Sequence, residues 1–242
     1  MSSNPYQPPE WRDARPAPIL PRTLGPVTLW TTIVFSLNAV LLFSMGVAAL
    51  FMGQPSGVGA PSRSPEEALS VPEAFFALSG LGWSILWIPG ILLFCVWIRR
   101  ANINADALVA SGMEFTPGWA VGWFFVPFAN LFKPYQAMAE IYRASDPKND
   151  PDYWSLAEVP RYLMLWWFSY LGFNAASNLS FGLFRGSGEV RLGGWPAVLM
   201  CVLGATASVM AVVVTRSIHR LQQEKARLSV SSFIDEGGAP GV

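Results

Sequence analysis

The feature that most constrains this chain is a set of five long stretches without Asp, Glu, Lys, Arg or His. These uncharged blocks cover residues 27–52, 74–98, 117–132, 162–184 and 192–215. A charge at the centre of a membrane-spanning helix costs roughly 2.5–3.5 kcal/mol on insertion scales, because hydrocarbon cannot hydrate it. Blocks of this length therefore predict an integral membrane protein rather than a water-soluble domain.

The composition narrows the classes of function. Charged residues make up 13% of the chain, whereas about 25% is usual for a globular domain. A net charge of zero gives no electrostatic support for nucleic-acid binding. One histidine and two cysteines are too few for a structural zinc or iron–sulfur site. We predict no cofactor and no metal and, because no catalytic constellation is recognisable, no enzymatic activity.

Block length separates four spans from one shorter segment. A helix rises 1.5 Å per residue, so about 20 residues are needed to cross about 30 Å of hydrocarbon. The block at 117–132 is shorter, and Pro127 interrupts it by removing an amide donor and disfavouring helix at Val126. The predicted fold is an all-α integral membrane protein with spans at about 27–52, 74–98, 162–184 and 192–215. A re-entrant or interfacial helical hairpin at 117–145 lies between the second and third spans on the cytoplasmic side.

The distribution of basic residues predicts the orientation. With four spans, thirteen of the 16 Lys and Arg residues fall on one side, and Arg63, Arg185 and Arg191 remain on the other. With five spans the division is nearly even. Basic residues concentrate in cytoplasmic loops. The sequence therefore predicts a multi-pass protein of a bacterial inner (cell) membrane with cytoplasmic N- and C-termini.

The segments outside the spans are predicted from composition and periodicity. Residues 1–26 are Pro-rich and predict a disordered cytoplasmic tail, followed by a membrane domain over 27–228. A charged helix is predicted at about Arg216–Leu228, and residues 229–242 are predicted to be disordered. The second arm of the hairpin, about Leu131–Ala144, places Tyr135 and Met138 on one face, which predicts a helix along the membrane surface. Whether 117–132 dips into the membrane or lies on it stays open.

One segment resembles a known family. Residues 97–105 read WIRRANINA, and residues 117–145 read PGWAVGWFFVPFANLFKPYQAMAEIYRAS. This segment resembles the bacterial membrane family named domain of unknown function 4328, whose hallmark is W-x-x-x-P-x-x-N-x-x-x-P-Y before a short helix. The matching positions are Gly118, Trp119, Trp123, Pro127, Asn130, Pro134, Tyr135, Tyr142 and Arg143. The resemblance implies that this block lies between two pairs of membrane helices, and it implies no established activity, substrate or cofactor.

Two groups of residues are candidate sites. The first is a motif or groove formed by Trp119, Trp123, Pro127, Asn130, Pro134, Tyr135 and Arg143. A broken helix exposes backbone groups that can bind a ligand, although the Asn130 side chain could instead satisfy the backbone freed by Pro127. The second is an intramembrane polar stripe of Asn174 and Asn178, with Asn38 as a partner. It predicts either a polar pocket or interhelical hydrogen bonds worth about 0.6–2 kcal/mol each.

Three hypotheses of function follow. The first is a non-enzymatic protein that binds membrane lipids and organises protein partners through its Pro-rich N-terminal tail or its surface helix. The alternative is a small transporter or channel for a lipid or neutral solute, since no span carries an ionisable group for proton coupling. A membrane enzyme comes third and would need Asp106, Glu114, Glu140 and His219 to converge. A polar cavity joining Asn130 with Asn174 and Asn178 would favour transport, and a dry interior would favour a scaffold.

Overall fold

The protein is described by a computed structural model, which covers residues 23–52, 69–108, 112–149, 153–187 and 195–235. Side chains are described for these residues except 180–187. The predicted N-terminal tail, up to residue 22, and residues 236–242 lie outside the described residues. The described chain forms helices and no strands. The helices are α1 (Gly25–Phe51), α2 (Val71–Ala107), α3 (Trp119–Gly122), α4 (Lys133–Ser145), α5 (Arg161–Ser187) and α6 (Trp195–Asp235).

Three of these helices are candidate membrane spans. By length and hydropathy, α1, α2 and α6 could each cross a bilayer. Large apolar side chains such as Phe43 and Leu78 are exposed on their outer faces. An apolar surface of this extent is typical of contact with lipid. The predicted all-α membrane fold is confirmed at this level. Helix α5 has the length of a span, 27 residues, but it is not among the candidates found by hydropathy.

Two helices extend beyond the predicted spans. Helix α2 begins with a capping box, in which Ser70 and Glu73 bind each other's backbone N–H groups. It continues past Ile98 to Ala107, because no helix-breaking residue follows. Helix α6 runs to Asp235, so residues 229–235 are helical and not disordered as predicted. No Gly or Pro occurs between Gly204 and Gly237 to end this helix earlier.

The long helices pack in the order α2, α1, α6, α5. Helix α1 packs against α2 and α6, and α5 packs against α6. Glycines permit the close approach of these helices. A Cβ atom on Gly46 would lie 3.1 Å from the Cys201 Cβ, and one on Gly204 would lie 2.8 Å from Phe173 and 2.9 Å from Leu42. The backbones of α2 and α5 do not pack together within the described residues.

The predicted hairpin has two helical arms at one end of the helices, which we call the hairpin end. The opposite end, near Phe51 and Val71, is the far end. The first arm is only α3, and the second is α4. Helix α4 packs on α2 and α6, and Met138 and Ile141 are fully buried. The Met138 face predicted for the membrane surface thus faces the protein, because the extensions of α2 and α6 provide a surface for it.

An aromatic cavity between helices α2 and α5

A cavity of about 190 Å³ lies between α2 and α5, and residues of α1 and α6 form its inner wall. Nine aromatic residues line it: Phe35, Trp83, Trp87, Phe94, Phe124, Phe125, Trp166, Tyr170 and Phe173. None of its lining residues carries a formal charge. The wall is therefore mostly apolar, with a few neutral polar groups.

Aromatic contacts close both ends of the cavity. At the far end, the rings of Trp83 and Phe173 meet edge to face with centroids 6.1 Å apart. At the hairpin end, Phe94 contacts Trp166 at 5.9 Å and Phe124 at 6.1 Å. Edge-to-face pairs at these distances are favourable beyond the area that they bury. Side chains rather than backbone packing thus join α2 to α5.

The hairpin contributes the wall at its own end. Phe124 also contacts the rings of Trp167 and Tyr170 on α5. The Trp167 indole N–H donates to the Leu131 carbonyl at 3.2 Å. This bond ties α5 to the irregular backbone that follows Pro127. Phe128 has a φ of 63° there, which is unusual for a residue other than glycine.

Two of the three residues in the predicted polar stripe meet in the cavity. Asn38 on α1 and Asn174 on α5 both line it. Asn174 donates to the Tyr170 carbonyl at 2.8 Å. Asn178 is exposed, donates to the Asn174 carbonyl and does not line the cavity. The cavity therefore joins polar groups of two helices without forming a continuous polar path.

Asn38 is buried and only partly hydrogen-bonded. It is 6% exposed, and its amide nitrogen donates to the Val34 carbonyl at 3.1 Å. Its Oδ1 atom has no hydrogen-bond partner among the described residues. An unpaired buried acceptor is unfavourable by about 1–3 kcal/mol, so this atom is unusual in the cavity wall.

Asn130 lies next to the cavity rather than in its wall. Its backbone N–H donates to Val126, and its side chain lies close to the Tyr170 hydroxyl. Its Oδ1 is buried and has no partner within the described chain. The interpretation that the Asn130 side chain satisfies the backbone freed by Pro127 is therefore not supported by its contacts.

The other motif residues lie on the hairpin and on α4. The rings of Trp119 and Trp123 are 4.6 Å apart, and the Lys133 ammonium lies 6.0 Å from the Trp123 ring, in cation–π range. Pro134 occupies the first turn of α4, where its missing N–H costs nothing. Tyr135 beside it is half-buried. None of these residues lines the cavity.

Arg143 holds α4 against the segment that precedes α5. Its Nε donates to the Ala157 carbonyl at 2.6 Å. A guanidinium bonded to a carbonyl of the protein is a structural contact, and Arg143 does not line the cavity. The motif residues thus support the hairpin, and Phe124 and Phe125, which follow Trp123 in the sequence, contribute to the cavity wall.

Sequence reasoning missed a buried polar network at the hairpin end. Gln222 on α6 donates to the Ala101 carbonyl at 2.8 Å and to the Ser145 hydroxyl at 3.0 Å. Asn104 donates to Gln222 at 3.3 Å. The network joins α2, α4 and α6. Its signal was the spacing of Ile218 and Gln222, because a residue four positions after a buried apolar one shares its face.

Glu140 organises the loop before α3. It is 9% exposed and accepts hydrogen bonds from the N–H groups of Glu114 and Phe115. Burial raises its pKa, the two amide bonds lower it in part, and the nearby Glu114 and Asp106 carboxylates raise it further. No three His, Cys, Asp or Glu side chains that the structure describes could together hold a metal ion.

A comparison with family profiles identifies the chain. The profile described as "Domain of unknown function (DUF4328)" matches residues 61–220. This chain belongs to the DUF4328 family. The match includes all of α2, α3, α4 and α5, and therefore most of the cavity wall in this DUF4328 protein. Neither the curated proteins nor the solved structures contain a match to the chain.

Proposed function

We propose that this DUF4328 protein is a four-span membrane protein that binds a neutral, apolar molecule from the bilayer between α2 and α5. The observation that supports this function is the aromatic cavity with two side-chain amides in its wall. Intramembrane ligand sites combine an apolar enclosure with a few polar groups that orient the ligand. The cavity does not join Asn130 with Asn174 and Asn178, as was expected of a transporter or channel for a lipid or neutral solute, so the proposal is limited to binding.

The proposed fourth span is α5. Its 27 residues give a length of about 40 Å at 1.5 Å per residue, enough to cross the hydrocarbon. It packs along α6, which is itself a candidate span. Asn174 lowers the hydropathy of α5, but it faces the cavity and not the lipid. With this span, the basic residues favour cytoplasmic termini and a cytoplasmic hairpin end.

The same assignment makes the hairpin re-entrant. The Phe124 ring contacts Phe94, which precedes Arg99 by five residues and so lies about 7.5 Å deeper along α2. Phe125 is 65% exposed and Phe128 84% exposed. Large apolar side chains are stable in that setting if lipid covers them. These contacts support a hairpin whose tip enters the membrane from the cytoplasmic side.

The cavity favours a small neutral ligand. An engineered cavity of about 150 Å³ in another protein binds benzene, so about 190 Å³ accommodates one substituted ring or a short segment of an acyl chain. A charged group would lose its hydration without gaining a partner. Trp87 and Phe125 line the cavity and are also exposed on the outer surface. The ligand therefore enters sideways from the bilayer and not along a pore.

Photolabelling with an apolar ring tests this function. The purified protein in lipid nanodiscs is irradiated with phenyl(trifluoromethyl)diazirine, and the labelled residues are mapped by mass spectrometry. We expect saturable labelling of cavity residues that excess toluene prevents. Ala207→Leu fills part of the cavity, so that the probe can bind only by overpacking the remaining space. Overpacking costs about 1–3 kcal/mol, and we therefore expect the probe to bind about tenfold more weakly.

The matched control for this test is Ala77→Leu, which makes the same change at an exposed position of α2. It should leave the saturable labelling unchanged. Labelling that never saturates and is equal in all three proteins would mean that the probe reports only lipid exposure, and it would refute the proposed site.

Partner binding through the tails is the second candidate function. The observation in its favour is the end of α6, where Leu228 and Ile234 are exposed on a helix beyond the buried network. A protein that only organises partners has no need of a cavity that binds a ligand. The absence of saturable labelling would therefore favour this second candidate.

A further inference from the structure

We infer that the ligand of the cavity carries a hydroxyl group on a single apolar ring, and that Asn38 Oδ1 accepts its hydrogen bond. This inference rests on the proposed function and specifies the class of ligand. It is based on the hydrogen-bonding state of the few polar groups in the wall. Among these groups, Asn38 Oδ1 is a buried acceptor without a partner in the described residues.

The orientation of the Asn38 amide is fixed by its neighbour. The Val34 carbonyl can only accept, so the atom that contacts it at 3.1 Å must be the amide nitrogen. The oxygen is therefore the atom without a partner. Asn38 is more than nine-tenths buried and lines the cavity. Gly90 lies beside it, since a Cβ atom there would be 3.6 Å from Asn38 Nδ2.

Other polar groups of the wall direct donors into their own helices. Asn174 Nδ2 donates to the Tyr170 carbonyl at 2.8 Å. The Ser208 hydroxyl donates to the Gly204 carbonyl at 2.9 Å. The Tyr170 hydroxyl lies close to the side-chain amides of Asn130 and Asn174. A ligand that supplies a donor thus complements this wall, whereas an ether or a hydrocarbon leaves Asn38 Oδ1 unpaired.

The shape and the aromatic lining of the site favour a donor that is attached to a ring or a similarly compact group. Asn38 lies on α1, behind the gap between α2 and α5, so the hydroxyl must reach past Trp87 at the opening. Flat aromatic side chains on both sides of the gap stack well with a ring. The volume of about 190 Å³ admits one ring with small substituents.

Two probes that differ by one methyl group on the oxygen, and hence in the hydrogen-bond donor, test this inference. One is the benzyl alcohol derivative of phenyl(trifluoromethyl)diazirine, and the other is its methyl ether, which keeps the oxygen but cannot donate. Half-saturation of cavity labelling is measured for each in nanodiscs. We expect the alcohol to bind about tenfold more tightly than the ether, because only the alcohol satisfies the buried acceptor.

Asn38→Leu should remove the preference, so that the alcohol and the ether bind equally. Asn178→Leu is the matched control: it changes the same residue type on a span but outside the cavity, and it should keep the tenfold preference. The wild-type comparison does not depend on either variant and decides the class of ligand even if Asn38→Leu does not fold.

The outcomes separate this inference from the proposed function. Equal saturable binding of both probes to the wild-type protein would overturn the ligand class and leave the cavity as a binding site. A preference for the alcohol that survives Asn38→Leu in a folded protein would overturn the role of Asn38. Failure of both probes and of the unsubstituted diazirine to give saturable labelling would refute the proposed function itself.

Discussion

Glu140 is a carboxylic acid placed where it is almost inaccessible to water. Its two oxygens accept from the amides of Glu114 and Phe115, and this fixes the loop that leads into the hairpin. Burial nevertheless raises its pKa above the ordinary value of 4.5. The folded protein therefore holds the proton of Glu140 at a pH where the unfolded chain has lost it.

This difference predicts a pH dependence of stability. Because the folded-state pKa is raised, the contribution of Glu140 to stability is largest at low pH and is lost as pH rises from about 4.5 through the folded pKa. The slope from this one group cannot exceed about 1.4 kcal/mol per pH unit. Thermal unfolding in detergent, followed from pH 4 to 8, measures it.

Glu140→Gln is the variant that isolates this effect. It cannot ionise, so its melting temperature should vary less with pH than that of the wild-type protein. The variant should also be less stable than the wild-type protein at low pH. Its NH₂ group cannot accept the hydrogen bond that a backbone N–H donates to Glu140. An unchanged pH profile in the variant would show that other groups cause the dependence.

Single residues were predictable from the sequence only where a pattern singled them out. Asn38 and Asn174 are conspicuous in uncharged helices, and the structure places both in one cavity. Gln222 and Asn104 were not predicted to be buried, because amides near charged segments are ordinary in a sequence. Their burial depends on α2 and α6 both extending past the predicted spans, and α4 filling the space between them.

At the scale of elements, the hairpin contacts both α2 and α5, the first and last of the long helices in packing order. Its Phe124 ring contacts Phe94 on α2 and both Trp167 and Tyr170 on α5. Pro127 predicted that this segment breaks, which the structure confirms. The partners of the break were not predictable, since ring contacts between distant segments leave no periodic signal in the sequence.

Phe124→Ala should therefore destabilise the fold by about 2–4 kcal/mol, because it removes a partly buried ring from three contacts. Phe128→Ala is the matched control, since Phe128 is exposed and lies four residues away on the same hairpin. It should change stability by no more than about 0.5 kcal/mol. Equal losses in the two variants would contradict the assigned role of Phe124. Unfolding in mixed micelles of increasing denaturing detergent provides the measurement.

For the whole molecule, the uncharged blocks predicted the helical membrane fold but not the order of the helices. Lengths and charges determine which segments can cross a bilayer, and they say nothing of which helices touch. That order depends on close approaches such as Gly204 against Phe173 and Leu42. The cavity lies between α2 and α5, the first and last helices in this order. It could not be predicted from the sequence, because the order could not.

The proposed four-span topology predicts which sites are accessible from outside the cell. In a protein whose native cysteines are replaced by serine, Ser64→Cys should react with a membrane-impermeant maleimide in intact cells. Lys148→Cys and Ser231→Cys lie at the hairpin end and should react only after permeabilisation, because basic segments stay in the cytoplasm. Labelling of Lys148→Cys in intact cells would contradict the topology.

Pro89 lies within α2, directly before Gly90 in the cavity wall. Proline has no N–H, so the carbonyl one turn earlier, at Ile85, lacks its helical hydrogen bond. Flexing of α2 is therefore easiest at the level of the cavity. The part of α2 before Pro89 carries Trp83, which contacts Phe173, and the part after it is held at Ala101 by Gln222. Bending at Pro89 would therefore separate α2 from α5 at the far end without disturbing the buried network at the hairpin end.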